Sequence, residues 1–180
     1  SKWTFEPGHT AASFAVRHMM VTWIRGSFGD VHGTLNIDLD RPVGGSLHVE
    51  IDTARIWTGD AARDDHLRAA DFLDVENHPT MTYKMKSYKK TGDTYTVLGD
   101  LTLRGVTKEI TLAGTFNGVA KDPWGNTRAG FKGEGTINRK DFGMKFSATL
   151  DSGGLLVGDE VKIKIEVEVI KEKGASGKKG

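Results

Sequence analysis

Six histidines and one dense run of charged residues are the side chains of this 180-residue sequence best suited to chemistry. The histidines are His9, His18, His32, His48, His66 and His78. None of them stands in an HExxH or HxH pattern, and the chain has no cysteine, so no local zinc site or thiol nucleophile is predicted. Histidines from distant strands could still meet, but we expect each to make ordinary hydrogen bonds. We therefore predict no metal site and no cofactor.

The charged run covers residues 63–68, where Asp64 and Asp65 precede His66. Two carboxylates beside a histidine could support acid–base catalysis. In a helix, however, neighbouring side chains point about 100° apart, so the two aspartates would not face each other. Asp64 and Arg68 are spaced to form an ion pair along a helix. The run therefore favours a salt-bridged helix over a catalytic site.

Other function classes lack support in the sequence. It contains no GxSxG nucleophile elbow and no GxGxxG or GxxxxGK[ST] phosphate-binding loop. A net charge of +1 gives no overall attraction to nucleic acid or to an anionic membrane, and we expect no nucleic-acid partner. No apolar run reaches the ~18 residues that a membrane-spanning helix needs. No signal-peptide pattern is present, which favours the cytoplasm, while the start at Ser1 leaves export after processing open.

Alternation with a period of two is the main structural signal. Residues 161–169 place a β-branched apolar side chain at every odd position and a charged one at every even position, which predicts a strand with one buried face. Similar runs recur along the chain, separated by turn signals at 42–45, 91–93, 104–105, 122–125 and 152–154. Residues 61–73 break the pattern, and Asp60 is a plausible cap for one short helix there. The pattern is typical of an antiparallel barrel or sandwich.

Glycines share the inward face of several predicted strands, among them Gly99, Gly114, Gly133 and Gly135. Inward glycines allow sharp bending and leave space inside a barrel. We favour curvature with a cavity, and the alternative is close packing around a filled core. A hollow barrel lined by apolar side chains would enclose an apolar ligand. The alternative functions are an enzyme acting on an apolar substrate, and an interaction scaffold using an exposed strand edge.

Several different short motifs occur in a characteristic order along most of the chain. They include Gly-His-Thr at 8–10, Phe-Ala-Val-Arg-His at 14–18, Arg-Asp-Asp-His-Leu-Arg at 63–68, Gly-Asp-Leu-Thr-Leu-Arg-Gly-Val-Thr at 99–107 and Ile-Asn-Arg-Lys-Asp-Phe-Gly at 137–143. With these motifs the sequence resembles the YceI-like, polyisoprenoid-binding family from about Trp3 to Val169. The family often has His-Ser where this chain has His9-Thr10, so a hydroxyl is kept.

The resemblance implies a lipocalin-like antiparallel barrel with an elongated apolar cavity. It also implies binding of a long isoprenoid lipid, such as a polyprenyl compound or an isoprenoid quinone, and a homodimer. It implies no defined enzymatic mechanism. The recurring charged residues look architectural: Arg63, Asp64 and Arg68 would brace the helix, and Arg139 with Asp141 would brace a turn.

We therefore predict an all-β protein, a lipocalin-like antiparallel β-barrel with one short helix inserted, over residues 1–170. Residues 171–180 contain only Lys, Glu, Gly, Ser and Ala and are predicted to form a disordered polar tail.

Alternation and the expected position of the helix together nominate a set of cavity-lining residues. They are Phe14, Val16, His18, Met20, Val31, Leu35, Ile37, Val49, Ile51, Ile56, Trp57, Phe72, Leu101, Leu103, Phe116, Phe131, Phe142 and Met144. For each of them the alternative is plain core packing. A buried His18 could donate a hydrogen bond to a quinone carbonyl or, as we favour, to the backbone.

Overall fold

The computed structural model describes residues 1–38, 44–147 and 156–173, and in them the chain is mostly strand. The strands are β1 (Lys2–Phe5), β2 (Ala11–His18), β3 (Thr22–Phe28), β4 (Val31–Asn36), β5 (Ser46–Asp52), β6 (Ile56–Trp57), β7 (Thr80–Thr91), β8 (Thr94–Leu103), β9 (Val106–Lys121), β10 (Thr127–Asn138) and β11 (Val157–Lys171). Helix α1 is Ala61–Arg68, and short 3₁₀ helices occupy Pro7–His9, Thr53–Arg55 and Arg139–Phe142.

Eight of these strands close into an antiparallel barrel in the order β1, β4, β5, β7, β8, β9, β10, β11. The barrel closes because β1 pairs along both edges, with Trp3 opposite Leu35 of β4 and opposite Lys171 of β11. The remaining strands β2, β3 and β6 continue the sheet outward from the other half of β11. The predicted lipocalin-like barrel with one inserted helix is therefore confirmed, and the sandwich alternative is not.

The long strand β11 shows why the alternating sequence folds this way. Ile165 lies opposite Gly133 of β10 on one edge and opposite Ala12 of β2 on the other. Its apolar residues at odd positions from Val161 to Val169 line the barrel interior. Lys162 and Lys164, at even positions, are exposed. Successive side chains of a strand alternate between its two faces, so the period-two pattern fixes this orientation.

Helix α1 begins as predicted, with the Asp60 carboxylate accepting a hydrogen bond from the backbone N–H of Arg63 at 3.1 Å. It ends at Arg68 and not at Leu73, because Ala69 already has extended backbone angles. The predicted Asp64–Arg68 ion pair is wrong. Arg68 pairs with Asp65 at 3.1 Å, one residue closer along the chain.

The predicted boundary at residue 170 falls inside the pairing of the last strand. β11 includes Lys171, and the backbone N–H of Glu172 donates to the carbonyl of Lys2 at 2.8 Å. Residues 174–180, most of the predicted tail, lie outside the described residues, as do the turn signal at 152–154 and part of that at 42–45. Within the described ranges no helix is long and apolar enough to cross a bilayer.

The β9–β10 turn is organised by one carboxylate. Asp122 accepts hydrogen bonds from the backbone N–H groups of Trp124 (2.9 Å) and Asn126 (2.8 Å) and from Arg128 Nε (2.8 Å). Arg128 also bonds Glu168 of β11 at 2.9 Å, which ties the turn to the barrel wall. Burial of the Asp122 carboxyl opposes its ionisation, but the bonds from Arg128 and the two backbone donors outweigh this and lower its pKa to about 2.

We predict that Asp122 makes folding acid-sensitive. Because the pKa is lower in the folded chain, the stabilisation is present in full above the ordinary value of 3.8 and is lost as the pH falls towards about 2. Asp122→Asn should lower the urea midpoint at neutral pH, and its difference from the unmodified protein should shrink between these two pH values. A difference that stays constant down to the acid end would contradict this assignment.

Candidate ligand cavity

The barrel contains a cavity of about 490 Å³, within the range of roughly 300–1,000 Å³ typical of small-molecule sites. Its wall is formed almost wholly by apolar side chains from the strands. Leu67 and Phe72 lie at the end next to helix α1, and Tyr88, Tyr95 and Phe131 lie further along the barrel. Such a wall favours an apolar molecule, because it offers burial rather than directed polar contacts.

Thirteen of the residues nominated from the sequence lie on this wall. They are Phe14, Val16, His18, Leu35, Ile37, Val49, Ile51, Ile56, Phe72, Leu101, Leu103, Phe131 and Met144. All but three of them lie in strands, where the alternation places their side chains inward.

Two nominated residues are exposed instead. Met20 was placed by continuing the alternation of β2, but β2 ends at His18 and Met20 lies in the following turn, 48% exposed. Trp57 lies in the two-residue strand β6 at the end of the sheet and is 63% exposed. For Met20 the period-two rule fails because the strand ends before the apolar run does. Trp57 was expected at the end covered by the helix, and its side chain faces solvent there.

Three more nominated residues are buried or packed away from the cavity. Val31 and Phe142 are fully buried in the surrounding core, and Phe142 lies in a 3₁₀ helix and not in a strand. Phe116 packs against Phe131, with 5.2 Å between ring centroids, and does not reach the cavity wall. For these residues the core-packing alternative is the correct one.

Several lining residues outside the predicted set carry the same alternation signal as those within it. Ile163, Ile165 and Val167 of β11 line the cavity, although their alternation is the clearest in the chain. Tyr83 and Tyr88 of β7 also line it. The alternation could have identified the three β11 residues and Tyr83, which is in phase with Met81 and Met85. It could not place Tyr88, because the register shifts between Met85 and Ser87.

The inward glycines act in two ways. Gly114 and Gly133 lie on the cavity wall, where a Cβ would meet its nearest neighbour at 3.4 Å and 3.3 Å respectively. Gly99 is covered instead: a Cβ there would lie 2.5 Å from Tyr83 Cζ and 2.6 Å from the Lys84 carbonyl oxygen. Curvature and cavity therefore occur together, but part of the space at the glycines is filled by aromatic rings from the next strand.

The charged run at 63–68 does not form an acid–base pair. Asp64 is buried and accepts hydrogen bonds from the backbone N–H and hydroxyl of Thr58. His66 lines the cavity end, but its Nε2 contacts Asp71 at 2.9 Å, and its ring packs edge-on against Phe72 and Phe146. Asp64 and His66 therefore contact separate partners and are not bonded to each other.

Arg139 braces the same end of the barrel. It is 2% exposed and donates to the carbonyls of Met144 (2.7 Å) and Gly158 (2.8 Å). Burial lowers the pKa of this guanidinium, while the nearby Asp159 at 3.4 Å acts in the opposite direction. The acidic partner is thus Asp159 and not Asp141 as expected. Because the Arg139 guanidinium is bonded to these protein groups, it holds together the chain segments at this end of the barrel.

Two tyrosines of β7 place hydroxyl groups near the cavity. The Tyr83 hydroxyl donates to the Ile110 carbonyl at 3.1 Å, and burial, reinforced by the charge of Asp100, raises its pKa to about 12. The Tyr88 hydroxyl is also buried but has no hydrogen-bond partner among the described residues. Over residues 1–38, 44–147 and 156–173, no cluster of three or more His, Cys, Asp or Glu side chains could hold a metal ion.

A closed antiparallel barrel with one inserted helix and an apolar interior defines the class as a lipocalin-like cavity protein. The model of the YceI-like domain matches residues 3–169, and the chain belongs to that family. It is 41% identical over 172 residues to the UPF0312 protein of Pectobacterium atrosepticum, covering 96% of this chain and 86% of the relative.

Solved structures agree with this assignment. The YCEI protein of Campylobacter jejuni is 31% identical with a TM-score of 0.75, over 87% of this chain and 90% of that one. A polyisoprenoid binding domain from Saccharophagus degradans, implicated in plant cell wall breakdown, has a TM-score of 0.71 over 95% of this chain and 98% of its own. At 12% identity that domain shows a shared fold alone.

The two tyrosines predict a contrast in stability. Tyr83→Phe should lower the free energy of unfolding by about 1 kcal/mol, because it removes a satisfied hydrogen bond and leaves a carbonyl with one partner fewer. Tyr88→Phe removes a buried hydroxyl without a partner and should leave stability unchanged or raise it. Urea unfolding of both variants checks this, and an equal loss in the two would show that the Tyr88 hydroxyl is bonded after all.

Two inward glycines give a second contrast. Gly99→Ala should destabilise the fold by about 2 kcal/mol, because the new methyl group would overlap a ring and a backbone carbonyl that cannot both move cheaply. Gly114→Ala is the matched control, since its Cβ would meet Tyr95 Cβ at an ordinary 3.4 Å. Thermal or urea unfolding distinguishes them, and a tolerated Gly99→Ala would mean that the Tyr83 ring does not cover this position.

Proposed function

We propose that the protein binds a long-chain isoprenoid lipid, a polyprenyl compound or an isoprenoid quinone, inside the barrel and acts as a carrier, store or protective host for it. The observation that carries the proposal is the cavity of about 490 Å³ with its almost wholly apolar wall. Burial of apolar surface provides about 0.8 kcal/mol per CH₂, so a chain of a few isoprene units gains several kcal/mol without any directed bond. Family membership and the fold shared with a polyisoprenoid binding domain support it.

The same wall argues against a catalytic role, and we propose a binding protein and not an enzyme. The ionisable groups at the cavity end are held by protein partners. Arg63 donates to the hydroxyl (2.8 Å) and the carbonyl (2.9 Å) of Thr58, and His66 contacts Asp71. An acid–base mechanism would need such groups available to a bound substrate. We also propose a homodimer, on the family resemblance, which sedimentation analysis of the purified protein would test.

Among the wall residues, the thirteen nominated from the sequence are proposed as ligand contacts together with the β11 residues Ile163, Ile165 and Val167. His18 lies on the wall near the end of β2. We propose that it borders the ligand, while apolar burial along the strands provides the affinity.

Extraction of the purified protein with organic solvent, followed by mass spectrometry, tests the function. We expect an isoprenoid lipid in a fixed ratio to protein. Val97 lies on the cavity wall, so Val97→Trp should fill part of the cavity. We expect at least about tenfold less bound lipid, because losing the burial of a few CH₂ groups costs more than the 1.4 kcal/mol that corresponds to a tenfold change in affinity. Val119→Trp at a 51% exposed position is the matched control and should retain lipid.

Circular dichroism and a cooperative unfolding transition must show that both tryptophan variants are folded. A protein that yields no lipid and fails to bind an added polyprenol would overturn the proposal. So would equal lipid retention in Val97→Trp and Val119→Trp, because it would place the lipid outside the cavity.

A further inference from the structure

The turn between β2 and β3 exposes three consecutive apolar side chains. Met19, Met20 and Val21 are 44%, 48% and 77% exposed, and we call these residues the β2–β3 tip. Single exposed apolar residues are ordinary on a protein surface, but a run of three in one hairpin turn forms a patch. Such a patch marks a contact with another apolar surface.

The backbone of the tip holds these side chains outward at a steric cost. Met19 and Met20 have φ angles of 51° and 63°, and the Val21 N–H donates to the His18 carbonyl at 3.1 Å. Two successive positive φ angles are those of a type I′ hairpin turn, for which Asn-Gly is the preferred pair. Two methionines are unfavourable here both by conformation and by exposure to water, and an outlier of this kind points to function.

Basic and aromatic side chains surround the tip on the outer face. Arg17 donates to the Met20 carbonyl at 3.1 Å, and its guanidinium lies 5.0 Å from the Trp23 ring centroid. Lys162 Nζ lies 4.8 Å from the same ring, and Arg25 is exposed on β3, two residues beyond Trp23. Arg17, Arg25 and Lys162 form no ion pair with any carboxylate of the described residues.

The tip also adjoins one end of the cavity. His18, immediately before it, is on the cavity wall. The Met19 N–H donates to the carbonyl of Leu156 at 2.9 Å, and Val157 pairs with His18. Leu156 and Val157 both line the cavity. Apolar surface therefore continues from the exposed tip to the interior of the barrel.

We propose that the β2–β3 tip docks the protein on an anionic phospholipid bilayer. Met19, Met20 and Val21 enter the interface, Trp23 lies at headgroup level, and Arg17, Arg25 and Lys162 bind the phosphates. Unpaired basic residues beside an apolar tip match an anionic lipid surface and not a neutral apolar protein face. That this contact loads the cavity rests on the proposed lipid-binding function, whereas the docking itself does not.

Co-sedimentation with vesicles tests the docking. The unmodified protein should bind vesicles of phosphatidylcholine with phosphatidylglycerol, bind pure phosphatidylcholine vesicles less, and lose binding as salt is raised. Met19→Asn with Met20→Gly installs the favoured turn pair, so its unfolding midpoint should rise while vesicle binding falls at least about tenfold. Val119→Ser and Trp124→Ser, at positions 51% and 77% exposed, are the matched controls and should leave vesicle binding unchanged.

Lipid transfer from the same vesicles separates the two proposals. Slower loading in the tip variant, with unchanged lipid affinity in detergent solution, supports both. Vesicle binding without any lipid uptake overturns the proposed function and leaves the docking intact. Equal vesicle binding by the tip variant and the unmodified protein overturns the docking. If the unmodified protein is a dimer and the tip variant is a monomer that still binds vesicles, the tip contacts a second copy of the chain instead.

Discussion

Strand β11 is hydrogen-bonded along both edges, to β10 on one side and to β2 and then β1 on the other. Without this double pairing the sheet would stay open, with two free edges exposed to other chains. When the barrel is closed, Ile163, Ile165 and Val167 face its interior. The charged residues that alternate with them along β11 then face water. Closure of the barrel, orientation of the wall and solubility of the outer face therefore depend on the same set of backbone bonds.

A closed barrel of eight strands has an interior just wide enough for side chains or one small ligand, so side-chain size decides between a core and a cavity. Here glycines on the wall replace larger residues at Gly114 and Gly133. Large rings near other glycines lie along the wall, as Tyr83 does over Gly99. The interior is hollow because the bulk of these rings is placed against neighbouring strands and not across the barrel axis.

Alternation along the sequence predicted the strands and the barrel well, because a two-residue period has only one geometric solution in a sheet. It predicted the wall less well where strands end. Val16 lies within β2 and is inward, whereas Met20 lies beyond its end and points to solvent. Phe142 and Asp64 could not be assigned from sequence, since the 3₁₀ helix that buries one and the Thr58 contact that holds the other are set by tertiary packing.

The charged side chains at the end of the barrel near helix α1 hold the chain together and leave the cavity apolar. Arg63 is bonded to Thr58, Arg68 to the carbonyls of Ala54 and Ile56, and Arg139 to the carbonyls of Met144 and Gly158. Each guanidinium thereby satisfies backbone groups that loops closing a barrel would otherwise leave unpaired. Charges used in this way offer little to a ligand head group, so an apolar wall is what this cavity offers a ligand. A protein that binds a ligand by apolar burial alone would exchange it slowly through water, because an apolar ligand is scarcely soluble in water. This is the physical reason why an apolar tip beside the cavity would matter to such a protein.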